Sequence, residues 1–85
     1  MYSVEYASER IEGFLRGLLP KIRKQIVSDI DKKLPTWNAQ TRGVKYIKVL
    51  GRYRLRCGDY RVFFTAEGSV IKVHGICNRK DTPYK

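Results

Sequence analysis

The chain has few of the groups on which common catalytic designs depend. It carries one histidine, two cysteines, one tryptophan and eight acidic residues in 85. The single histidine, His74, excludes a nuclease that uses two histidines as acid and base. Cys57 and Cys77 without histidine partners do not make a zinc site. No cluster of Asp and Glu suits a two-metal nuclease. No metal and no cofactor is therefore expected. No apolar run approaches the length of a membrane span. Met1-Tyr2-Ser3-Val4-Glu5-Tyr6 shows no basic segment followed by an apolar stretch, so no signal peptide is expected. A cytoplasmic setting with reduced thiols is the expectation, with both cysteines as small buried hydrophobes. Repeats, linkers and low-complexity segments are also lacking. The length fits one domain, residues 1–85.

Positive charge is what the chain has in excess. Eighteen Lys and Arg stand against eight Asp and Glu, a formal net charge of +10. That balance suits a nucleic-acid binder or a protein with an acidic partner. The charge is most ordered in Arg52-Tyr53-Arg54-Leu55-Arg56-Cys57-Gly58-Asp59-Tyr60-Arg61. In a strand, alternate side chains share a face, so Arg52, Arg54 and Arg56 line one side and Tyr53, Leu55 and Cys57 the other. Gly58-Asp59 reads as a turn that returns Arg61 beside the row. Guanidiniums suit phosphate because their planar fork bonds it bidentately.

The remaining pattern places this row in a fold. Tyr2 to Tyr6 reads as a first strand. Ser8 stands where a helix N-cap belongs, with Glu9 and Glu12 in the first turn. Ile11, Phe14, Leu15 and Leu18 follow at helical spacing. Pro20 ends that helix or starts the next. Ile22, Ile26, Ile30 and Leu34 then mark the apolar stripe of a second helix, closed by Pro35. Trp37 is expected at the core edge. From Val44 the period becomes two, and Val44–Leu50, Arg52–Cys57, Tyr60–Ala66 and Val70–Ile76 read as strands joined by short glycine turns. Such links require antiparallel neighbours. The predicted fold is α+β: an N-terminal strand, a helical hairpin, then a four-stranded antiparallel meander. The hairpin covers one sheet face, and the arginines occupy the other or a rim.

The run YRLRCGDYRVFF, followed by a strand and by NRKDTPY near the end, resembles the RelE/ParE toxins of bacterial toxin–antitoxin pairs. The opening YSVEYASERIEGFL is similar in character to that family's first strand and helix. The resemblance covers essentially the whole chain. It implies the RelE-like fold and a cognate acidic antitoxin in a hetero-oligomer. It also implies one of two targets. RelE-like members are ribosome-dependent mRNA endoribonucleases, whereas ParE-like members poison DNA gyrase without catalysis. The family's catalytic set falls here on Arg61, Arg79 and Tyr84, with Arg52, Arg54 and Arg56 on the middle strand. Tyr84 favours the nuclease branch. Lys48, Lys80 and Lys85, with Lys72, complete a basic surface for ribosome and mRNA. Two departures stand out: the middle strand has Arg where relatives often have Lys, and Asn78 stands where many have His.

Metal-free cleavage requires the 2′-hydroxyl to attack the adjacent phosphate. A base takes its proton, cations hold the pentavalent dianion, and an acid protonates the departing 5′-oxygen. Arg61 and Arg79 fit the cation role because they stay charged, and for that reason arginine is a poor base. Tyr84 is the expected base if neighbouring arginines lower its pKa, or else it stacks on or orients a nucleobase. His74 is expected to be structural. Asp59 and Asp81 read as turn residues. A ParE-like inhibitor, or a degenerate toxin that only binds its antitoxin, is the alternative.

Overall fold

A computed structural model describes residues 1–38 and 40–82. The elements are β1 (Ser3–Tyr6), α1 (Glu9–Arg16), α2 (Pro20–Lys33), β2 (Val44–Ile47), β3 (Arg52–Cys57), β4 (Tyr60–Glu67) and β5 (Val70–Asn78). A single 3-10 turn follows at Arg79–Asp81. The five strands form one sheet in the order β1-β5-β4-β3-β2. The last four pair antiparallel, as a meander must, whereas β1 lies parallel to β5 at the edge. This is the expected α+β architecture, and the N-terminal strand completes the sheet beside the last strand of the meander.

The two helices cover one face only. Ile11 and Leu15 of α1, Ile26 and Ile30 of α2 and Leu34 at the α2 C-cap pack on Leu55, Cys57, Val62, Phe64, Ile71, Val73 and Ile76. Pro20 is the first residue of α2, where its missing N–H costs nothing. Ser8 sits at the α1 N-cap position in extended conformation, but its side chain makes no capping bond. Trp37 lies at the core edge as expected, its ring centroid 4.7 Å from Tyr53, 5.3 Å from Phe64 and 6.1 Å from Tyr2.

Three expectations need correction. The strand expected over Val44–Leu50 stops at Ile47, because the next residues fold into a turn in which the Gly51 N–H reaches the Ile47 carbonyl. Gly51 adopts a positive φ of 65°, a conformation glycine takes without strain. Lys48 therefore projects from a turn and not from the sheet face. The second correction concerns Cys77, which is half-buried on the face away from the helices; only Cys57 is a core residue. The third is that β5 carries an irregularity. Its register shifts between the partners Phe63 and Phe64, which face Gly75 and Val73, so that His74 is an extra residue.

Candidate nucleic-acid interface

The register fixes which side chains share the face opposite the helices. Leu55, Cys57, Val62, Phe64, Val73 and Ile76 belong to the core, so their strand neighbours point the other way. Three transverse rows result. In the first, Arg56 on β3 lies directly opposite Arg61 on β4, and Arg61 opposite Cys77 on β5. In the second, Lys45, Arg54, Phe63 and Gly75 are successive partners across β2 to β5. In the third, Ile47 faces Arg52, and Thr65 faces Lys72, which in turn faces Glu5 on β1. Rows on one face are about 6.6 Å apart, twice the rise per residue. The expected arginine row is present: Arg52, Arg54 and Arg56 lie on one side and Leu55 and Cys57 on the core side.

Apolar residues interrupt the charge. Phe63 is 5% exposed and Ile47 6%, yet neither belongs to the helix-side core. Each stands opposite an arginine, Phe63 against Arg54 and Ile47 against Arg52.

The Arg61 end of the face is organised by the β3–β4 hairpin. Cys57 and Tyr60 close a two-residue loop whose first residue, Gly58, has φ of 60°. A positive φ first and an ordinary one at Asp59 is the type II′ pattern, matched to the twist of paired strands. The Arg61 Nη1 donates to the Gly58 carbonyl at 2.9 Å and to the Tyr60 carbonyl at 3.0 Å. One edge of its guanidinium is thus fixed at the turn. Arg79 is drawn to the same turn. Its backbone N–H donates to the Asp59 carbonyl at 2.8 Å, and its Nε stands 3.7 Å from the Asp59 carboxylate. The Arg79–Asp59 pair is solvent-exposed, so it orients more than it stabilises. Arg56, Arg61 and Arg79 consequently gather around one hairpin although they come from three elements. Like charges directly opposite each other destabilise a sheet, and a bound anion relieves that repulsion.

Lys80 is exposed on the 3-10 turn, whose start is capped by the Asn78 side chain accepting from the Lys80 N–H at 3.0 Å. Tyr84 and Lys85 lie outside the described residues. Among the described residues no group of three or more His, Cys, Asp or Glu is placed to hold a metal ion, and no helix is long and apolar enough to cross a membrane.

His74 is hydrogen-bonded, with Nε2 2.8 Å from the Thr65 hydroxyl. Burial, reinforced by the Arg52 and Lys72 charges and opposed by Glu67, lowers its pKa below the usual histidine value. Sequence reading did not place Thr65, Lys45 and Phe63 on the basic face. Nor did it place His74 there, for which the signal was Gly75 inside a strand pattern, since glycine there often marks a bulge. Burial, with Asp29 of α2 alongside, pushes the Cys57 thiol up to about 12, and burial also raises Cys77, so both stay protonated near neutral pH.

No protein-family model and no curated protein matches the sequence. Solved structures do match. A chain of the RelB–RelE antitoxin–toxin complex from Methanococcus jannaschii superposes with a TM-score of 0.68 at 23% identity, covering 88% of this chain and 89% of that one. A chain of the archaeal RelE–RelB complex from Pyrococcus horikoshii OT3 gives 0.64 at 18% identity, covering 95% and 98%. The chain has a RelE-like fold. Coverage from both sides means that the RelE-like fold accounts for nearly the whole chain. The shared frame is the helix-backed sheet, and the arginine arrangement on its open face is read from this sequence alone.

Proposed function

We propose that this chain is the toxin of a toxin–antitoxin pair and cleaves mRNA in a ribosome-dependent reaction without a metal. The observation that carries this reading is the convergence of Arg56, Arg61 and Arg79 at the Gly58–Asp59 hairpin. Three permanent cations at one hairpin suit the doubly charged pentavalent phosphorane. The 2′-oxygen forms a bond to phosphorus while the bond to the 5′-oxygen breaks, leaving a cyclic phosphate and a 5′-hydroxyl. One proton leaves the 2′-oxygen and one reaches the 5′-oxygen. We assign the first transfer to Tyr84, the position on which the family resemblance places the catalytic tyrosine, a role that requires a phenol more acidic than usual. Arg52 and Arg54, together with Lys48, Lys80 and Lys85, bind the RNA backbone through phosphate contacts. The partner is an acidic antitoxin that covers the basic face, since a net charge of +10 favours acidic partners. The two structural neighbours described above come from complexes of RelE with RelB, which supports a toxin–antitoxin assembly here.

Primer extension on an mRNA tests the proposal, with purified protein and with or without translating ribosomes. Codon-phased cuts that need ribosomes, and that vanish in folded Arg61→Ala and Arg79→Ala variants, are expected. One observation favours a gyrase-directed toxin without catalysis: Asp59, the carboxylate at the hairpin, is paired with Arg79, and His74 lies on a different row. Growth arrest without RNA cleavage in either arm overturns the nuclease and selects that reading.

A further inference from the structure

The β5 irregularity is placed where it changes the chemistry of the open face. Val73 and Ile76 both point into the core, being 0% and 9% exposed, yet they are three residues apart. In a regular strand, core residues are two apart. The extra residue turns both His74 and Gly75 toward the basic face, which is how a bulge re-aims a side chain. His74 then meets Thr65 of β4 across a 2.8 Å hydrogen bond. Lys72 lies directly opposite Thr65 on the same face. Arg52 continues β3 one residue past the Tyr53–Phe64 pair, which sets it on the other side of Thr65. A cation from each flanking strand therefore brackets a hydroxyl–imidazole pair.

We propose that Arg52, Lys72 and the Thr65–His74 pair form a second phosphodiester subsite, gripping single-stranded RNA about two backbone intervals from Arg61. The inference rests on the nucleic-acid reading given above. Arg61 and Thr65 are four residues apart on β4, about 13 Å along the strand. That is two phosphate intervals of an extended strand. Between them lies the row containing Phe63 and Gly75, and a Cβ added at Gly75 would meet nothing within 4 Å. The face is thus open at Gly75, on the path of the intervening nucleotide.

The charged groups around His74 are Arg52 on β3, Glu67 on β4 and Lys72 on β5. Glu5 on β1 lies beyond Lys72, and Arg10 of α1 flanks the groove that reaches His74 at the sheet edge. Burial, reinforced by the Arg52 and Lys72 charges, favours the neutral imidazole in the free protein. A phosphodiester placed among them reverses the local field and draws a proton onto the ring.

His74 is the only histidine, so its ring signals in a proton NMR titration need no assignment by mutation. The probe is a 2′-O-methyl tetranucleotide, which has three phosphodiesters and no attacking hydroxyl. A 2′-O-methyl dinucleotide, with one phosphodiester, is the comparison. The tetranucleotide is expected to raise the His74 pKa by about one unit or more, in the range a close opposite charge produces. It should also bind at least tenfold tighter than the dinucleotide, and Lys72→Gln should remove most of that gain. A tetranucleotide that shifts the Gly58 and Arg61 signals but leaves the His74 pKa unchanged overturns the subsite and spares the nucleic-acid reading. Binding that grows with length equally in the Lys72→Gln protein reduces the region to diffuse basic surface, which also overturns it. Failure of both oligonucleotides to bind overturns the subsite together with the reading beneath it.

Discussion

The two faces of the sheet answer to opposite requirements although they alternate along the same strands. On β3, Leu55 and Cys57 are almost completely buried against the helices, whereas Arg56, between them, is exposed and set opposite Arg61. The helix face gains by removing apolar area from water. The open face holds like charges next to each other, which no requirement of folding explains. Stability is concentrated on one side and the proposed activity on the other. Substitutions on the two faces should therefore differ in kind.

The largest effect should come from the helix face. Phe64→Ala removes a ring with no exposure, packed on Trp37 and Tyr53. About 3–5 kcal/mol should be lost. That approaches the whole stability of a domain this small, which is of order 4–13 kcal/mol at 0.05–0.15 kcal/mol per residue. Urea unfolding should show a variant largely unfolded at 37 °C. On the open face, Arg61→Ala should lower cleavage about 10²–10³-fold, the loss typical of one transition-state donor. Its urea midpoint should stay close to that of the parent protein. A parallel drop in midpoint and activity would show that the tether to the Gly58 and Tyr60 carbonyls is needed for the fold.

Smaller effects sharpen the contrast. Inorganic phosphate should stabilise the parent protein by about 1.4 kcal/mol at ten times its dissociation constant. Arg56→Ala should lose most of that gain, while phosphate-free it should be equal to or more stable than the parent, by up to about 1 kcal/mol. Differential scanning fluorimetry across a phosphate series reads both. The largest pKa shift belongs to the helix face. Cys57 has its folded pKa raised from 9.0 to about 12. A raised pKa means that the folded state holds the proton longer than the unfolded chain. The stability it contributes is complete below pH 9 and is lost as pH rises toward 12. At pH 10 the loss should be on the order of 1 kcal/mol, and Cys57→Ala should not show it. The smallest effect is expected for Asp59→Asn, a few tenths of a kcal/mol or less, because its pairing with Arg79 is solvent-exposed.

Much of this division is legible in the sequence, because period-two alternation in Arg52–Cys57 and period-3.6 spacing in Ile22–Leu34 each name a buried side. The turns are legible for the same local reason, with Gly58 and Gly68 at the positions that need positive φ. Three features escape such reading. Val62-Phe63-Phe64 is apolar on both faces, so alternation cannot show that Phe63 points away from the helices. The bulge at His74 breaks the period inside a strand and moves one side chain across the sheet. Strand pairing at a distance has no local signature either, and β1 carries nothing that announces a parallel partner in β5. Within the site, Arg61 beside Arg56 follows from a short hairpin, whereas Arg79 meets them through a backbone bond to Asp59 that no spacing rule supplies.

The parallel pairing of β1 with β5 has a consequence for how the protein is made. Ser3 is matched to Val70, which is added to the chain 67 residues later. The edge strand emerges first during synthesis but finds its partner last, after every other strand has been completed. Contacts so far apart in sequence slow folding, because the entropy of closing the long loop is lost before the contact forms. The nascent chain thus stays unfinished until its final strand appears. The same holds for the proposed site, because Arg79 joins Arg56 and Arg61 only through a backbone bond to Asp59 made after β5 has been synthesised.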